Sequence, residues 1–100
     1  MATTPKLMYR GAAALTDTTL YTVPADTTAI VTDIVVTNTD STAATFTIKF
    51  DTVEVLSGAT LAANSTATFE LKQVLEAADV VSGLASATTV KLHISGVEIA

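Results

Sequence analysis

Leu20-Tyr-Thr-Val-Pro-Ala-Asp-Thr-Thr-Ala-Ile-Val-Thr-Asp-Ile-Val-Val-Thr-Asn38 is the stretch whose reading decides the fold. Thr, Val and Ile fill it, and side chains branched at Cβ are stiff and suit a pleated surface. Pro24-Ala25-Asp26 divides it into two extended runs, because Pro and Asp favour turns. In the second run Ile30, Ile34 and Val36 lie on one parity and Val31 and Val35 on the other. A strand apolar on both parities is predicted in the middle of a sheet, with its second face covered as well.

Downstream the alternation is cleaner. Phe46, Ile48 and Phe50 alternate with Thr45, Thr47 and Lys49; Ala67, Phe69 and Leu71 with Thr68 and Glu70; Val90, Leu92 and Ile94 with Lys91, His93 and Ser95. Period two with one apolar face is the mark of half-buried antiparallel strands. Turn signals fall at Thr16-Asp17, Pro24-Ala25-Asp26, Asn38 to Ser41, Asp51-Thr52, Ser57-Gly58, Ala63 to Ser65 and Ser82-Gly83. Phe50-Asp-Thr-Val53 reads as a tight hairpin joining the strand at 45–50 to Val53–Leu56. Many short strands so punctuated predict an all-β, antiparallel β-sandwich, jelly-roll or Ig-like, as a single domain over residues 1–100.

Three local readings go with this. Apolar residues are even-numbered through Ile94 and odd-numbered at Val97 and Ile99, so a bulge at Ser95-Gly96 is expected to restore the inward face. Leu71–Ala78 reads either as one turn of helix or as a strand end and corner. Residues 1–16, with Leu7, Met8 and Leu15 in no clean period, read as an ordinary edge strand or as an N-terminal arm laid across a neighbouring subunit.

The composition narrows function. Of 100 residues, 20 are Thr and 17 Ala, and 49% are hydrophobic against 15% charged, which argues for a folded chain. No apolar run approaches the ~20 residues of a membrane-spanning helix, so a soluble protein and no membrane partner are expected. The net charge is −5 and the five cations, Lys6, Arg10, Lys49, Lys72 and Lys91, are dispersed, so nucleic acid is not an expected partner. Cysteine is absent, which removes disulfides, thiolate metal sites and cysteine nucleophiles. The opening residues lack the apolar stretch of a signal peptide, and synthesis in a cytoplasm is expected.

Few side chains carry chemistry. His93 and Ser95 point to the same side of a strand, but residues i and i+2 lie about 7 Å apart, too far for a nucleophile and its base. They read as a polar stripe with Lys91. Asp17, Asp26, Asp33, Asp40 and Asp51 are scattered through the first half, mostly in predicted turns, and do not form a calcium loop. A hard cation shared between subunits stays open, with no residues assigned to it. Glu70, Glu76 and Asp79 read as a solvated surface, and Asn64-Ser-Thr66 as a turn. The expectation is no enzyme, no catalytic residues, no cofactor and no metal ligands.

The order of the pieces resembles that of a family of short virion proteins of tailed bacteriophages. The matching segments are Leu20–Ala25, Ile30–Asn38, Thr45–Leu56, Leu61–Leu71, Asp79–Gly83 and Val90–Glu98, together about four fifths of the chain. The chain departs from the pattern at Glu76–Asp79, where relatives often carry Gly before Asp. The resemblance implies a β-sandwich used in phage particles, either as a capsid decoration (cement) protein or as a tail, baseplate or host-adhesion accessory module. It carries over no catalytic residues.

The decoration reading is the expected one: a homotrimer on the virion capsid surface, made in the host cytoplasm, binding the major capsid protein of the assembled shell. The contacts are expected at Leu7, Met8 and Tyr9 of the arm and at loops 38–42 and 57–65, with Asn38, Asp40 and Asn64. Deleting residues 1–10 is expected to weaken particle binding and leave the β fold intact.

Overall fold

The computed structural model describes residues 2–100. They form eight strands: β1 (Thr3–Ala12), β2 (Thr18–Thr22), β3 (Thr28–Asn38), β4 (Ala44–Phe50), β5 (Val53–Leu61), β6 (Thr66–Leu75), β7 (Val80–Ala85) and β8 (Val90–Ile99), with no helix among the described residues. One four-stranded sheet has the order β1-β8-β3-β6 and the other β2-β7-β4-β5, both antiparallel. The chain thus pairs first strand with last, second with seventh, third with sixth and fourth with fifth. It is a long hairpin whose tip is Asp51-Thr52, rolled so that successive pairs fall in alternate sheets. This is the jelly-roll form of the β-sandwich.

The two sheets bury one face each. Ala29, Val31, Ile34, Val36, Leu92 and Ile94 from the first meet Phe46, Ile48, Phe50, Val81 and Ala85 from the second. Phe46 and Phe69 bridge the sheets with ring centroids 6.1 Å apart at 59°. Each large side chain fully removed from water contributes about 1.5–3 kcal/mol. Asn38, also without exposed surface, ties down one end of the sandwich. Its amide donates to the Thr42 carbonyl (2.8 Å) and more weakly to those of Ala62 (3.4 Å) and Leu61 (3.5 Å), and its Oδ1 accepts from the Asp40 N–H.

Several expectations need correction. Ser57-Gly58 and Ser82-Gly83 are not turns and lie inside β5 and β7. Gly58 adopts φ 54 where the β4–β5 register slips, and its N–H donates to the Thr47 hydroxyl at 2.9 Å. Gly83 is required by close packing, since a Cβ there would lie 2.8 Å from the Thr47 carbonyl oxygen. Leu71–Ala78 takes the second of its two readings, a strand end and corner: Leu71–Leu75 continues β6, and the corner follows at Glu76–Asp79, where Asp79 Oδ2 accepts from the Glu76 N–H at 2.9 Å.

β1 is the edge strand of the first sheet, and beyond its start the backbones of Ala2 and Ala100 exchange two hydrogen bonds. Met8 is buried in the core, so removing residues 1–10 would strip an edge strand and open the core.

β8 carries no bulge at Ser95-Gly96. The extra residues sit in its two neighbours at that level, Met8 in β1 and Thr32 in β3. Gly96 therefore stays in phase with Ile94 and faces inward, where a Cβ would strike the Ile30 carbonyl oxygen and lie 2.7 Å from Met8 Cε. Val97 and Ile99 consequently remain on the outer face. β3 is an interior strand as its sequence predicts, but its second face is not covered: no described element lies over Ile30 and Val35, and both are half-buried by their neighbours alone.

Candidate functional site

The outer face of the β1-β8-β3-β6 sheet is built of cross-strand rows fixed by the register. The first row is Thr3, Ile99 and Thr28; the second is Pro5, Val97, Ile30 and Val74. The third is Leu7, Ser95, Asp33 and Glu70; the fourth is Arg10, His93, Val35 and Thr68; the fifth is Ala12, Lys91, Thr37 and Thr66. The second row is apolar across all four strands, and Leu7 and Ile99 extend it on either side. Pro5 and Val74 at the two edges of the row are exposed, Val74 at 62%, while Val97 and Ile30 between them are half-buried.

Charge divides the same face from side to side. Arg10 and Lys91 stand on β1 and β8, while Asp33 and Glu70 face each other across β3 and β6. Near that acidic pair, at the Thr32 bulge, lies a shallow open groove lined by Thr32, Asp33, Glu70, Leu71 and Lys72. Lys72 partly offsets the two carboxylates at the β6 edge.

Among the described residues no three His, Asp or Glu side chains come together as a metal site. His93 and Ser95 stand in adjacent rows of the outer face and Lys91 in the next, which is the polar stripe read from the sequence. Glu70 lies on that face, whereas Glu76 and Asp79 belong to the corner after β6. A second open groove, lined by Phe50, Val53, Glu54, Gln73, Leu75 and Asp79, separates the β4–β5 hairpin from the end of β6.

A second polar contact bridges the sheets, beside that of Asn38 of β3 with the Leu61 carbonyl of β5. The Tyr21 hydroxyl of β2 donates to the Glu98 carboxylate of β8. Burial foremost, then that hydrogen bond and the carboxylate's charge, hold the phenol well above its usual ionisation range.

The residues expected at an interface do not gather in one place. Leu7 lies on the apolar outer face. Met8 is buried, and Asn38 is enclosed with its amide committed to loop carbonyls, so neither presents a side chain to a partner in this fold. Tyr9 is half-buried and its hydroxyl donates to the Ala12 carbonyl at 2.8 Å. Asp40 accepts from the Ser41 N–H at 2.7 Å, and Asn64 occupies a turn at φ 51. Ile30, Val74 and Val97 were missed. Their signal was the parity switch at Val97 and Ile99, which marks an apolar outer face once β8 is known to keep its phase.

No protein-family model, curated protein or solved structure matches the chain. Fold and surface together define a jelly-roll β-sandwich with one uncovered outer face crossed by an apolar row.

Proposed function

We propose that this chain is a capsid decoration (cement) protein of a tailed bacteriophage, binding the assembled major-capsid shell and stabilising it. The observation that carries the reading is the row Pro5, Val97, Ile30 and Val74, an apolar surface left open on a small sandwich. A contiguous exposed apolar patch marks an interaction surface. The order of sequence segments resembling short phage virion proteins supplies the kind of assembly, and the jelly roll is a fold used in viral capsids.

A protein that binds the closed shell and not its free subunits stabilises the shell by mass action. Repeated seats on the particle, occupied by a homotrimer, multiply weak single contacts through effective concentration. Threonine-rich polar rows around the apolar one, such as Thr37 and Thr66 with their hydroxyls 3.1 Å apart, suit a surface that stays in water away from its contacts.

The test is sedimentation of the purified chain with emptied phage heads, with free capsid subunits and with isolated tails. Co-pelleting with heads alone, together with a higher temperature of head disruption, is expected. Pelleting with tails alone would move the chain to the tail or host-adhesion alternative, and pelleting with neither would remove the virion reading.

A further inference from the structure

The geometry points to a second copy of this chain as the occupant of the apolar outer face, in a two-fold contact with the axis in the interface and parallel to the strands. Such a rotation lays β1 of one copy over β6 of the other and β8 over β3. The apolar row then meets itself: Pro5 faces the second copy's Val74, and Val97 faces its Ile30, each contact occurring twice. The same rotation brings the cationic side of the face over the acidic side. Arg10, in the fourth row of β1, comes within one row of Glu70 on β6 of the second copy. His93, in the fourth row of β8, comes within one row of Asp33 on β3. The second row and the Arg10–Glu70 approach supply the self-complementarity that an isologous contact requires, while the third row sets Leu7 over Glu70 and Ser95 over Asp33.

The area is adequate for a reversible dimer. Four strands about 4.8 Å apart and about 30 Å long present about 600 Å² per copy, so about 1,200 Å² in all, at the lower limit of specific interfaces. Bulges in β1, β3 and β6 twist the sheet, and two such faces pack with their strands about 30° apart. The contact closes at two copies in solution and covers the row on which the virion reading rests, so the dimer is the free form and has to open before that row can seat on a shell.

The test is sedimentation equilibrium of the full chain from about 1 to about 100 μM, with far-UV circular dichroism confirming the fold of each variant; the range brackets weak association. A monomer–dimer equilibrium is expected. Ile30→Lys and, at the more exposed edge position, Val74→Lys should each weaken it about 100-fold, because both place two like charges in an apolar contact. Arg10→Glu and Glu70→Arg should each weaken it about 5-fold or more, and the double variant should recover most of the loss. A monomer throughout, a trimer, or a dimer insensitive to both lysine variants would overturn the inference. A monomer whose binding to heads is lost on Ile30→Lys would overturn it too, and would assign the face to the shell. Dimerisation without any binding to heads would leave it standing while removing the proposed function.

Discussion

The two outer faces of the sandwich use the same alternation to opposite ends. Across the β1-β8-β3-β6 sheet runs the row Pro5, Val97, Ile30 and Val74; across the other runs Glu54, Lys49, Ser82 and Thr19. On the polar face Lys49 stands 3.6 Å from Asp17 of the β1–β2 loop, an ion pair in contact with solvent. That row is polar from edge to edge, although Val53 and Val55 of β5 in the same sheet are exposed at 65% and 39%. The apolar row, by contrast, exposes surface that burial would stabilise by roughly 25 cal/mol per Å². In a sandwich whose inner faces are equally apolar, the outer faces are where the two sheets part in role.

Gly96 is the position where this asymmetry breaks most severely. Gly96→Ala would push a methyl into the Ile30 carbonyl and the Met8 side chain, and because backbone must move, a loss of about 3 kcal/mol or more is expected. Chemical denaturation measures it, and a loss below about 1 kcal/mol would show that β8 is free to shift phase. Asn38→Ala comes next. It strips loop carbonyls of a buried donor and the Asp40 N–H of its acceptor, for an expected loss of about 2 kcal/mol by the same measurement.

Tyr21→Phe is smaller and depends on pH. Unfolded, the phenol ionises near 10, and the fold holds its proton to higher pH. The unfolded state therefore binds fewer protons above about pH 10, and the stabilisation, whole below that value, is lost as pH rises through the folded value. Thermal melts from pH 8 to 11.5 should show the variant about 1 kcal/mol less stable at pH 8 and flatter above pH 10. Parallel decline of both proteins would reject the role given to Tyr21.

Leu84→Lys is the matched control for the two faces. Leu84 lies opposite Thr47 on the polar sheet's strands, and a lysine there is expected to change self-association less than about 2-fold. A larger loss would erase the distinction between the faces.

Much of this architecture is legible in the chain. The alternation over Phe46, Ile48 and Phe50 and over Val90, Leu92 and Ile94 marks which side of β4 and β8 enters the core, because a strand's side chains must alternate. The turn at Asp51-Thr52 is equally readable, although Thr52 takes φ 69 where Gly would be the ordinary choice. Ser82-Gly83 and Ser57-Gly58 mislead because glycine marks both turns and close approaches, and only the neighbouring strand distinguishes them. Met8 and Asn38 look like surface residues for a related reason: a bulge against β8 buries the first, and a loop closed on Thr42 and on the distant Leu61 and Ala62 buries the second.

By itself the sequence determined the all-β class, the places of β3 and β4 and of the hairpin after β4, and the scarcity of groups that do chemistry, since these follow from local periodicity and composition. Tertiary structure alone decided the nested pairing of the jelly roll, the phase of β8 beside two bulged neighbours, and the joining of Pro5, Val97, Ile30 and Val74 into one surface. Such rows are set by registers between strands far apart in the chain, and no local pattern encodes a register.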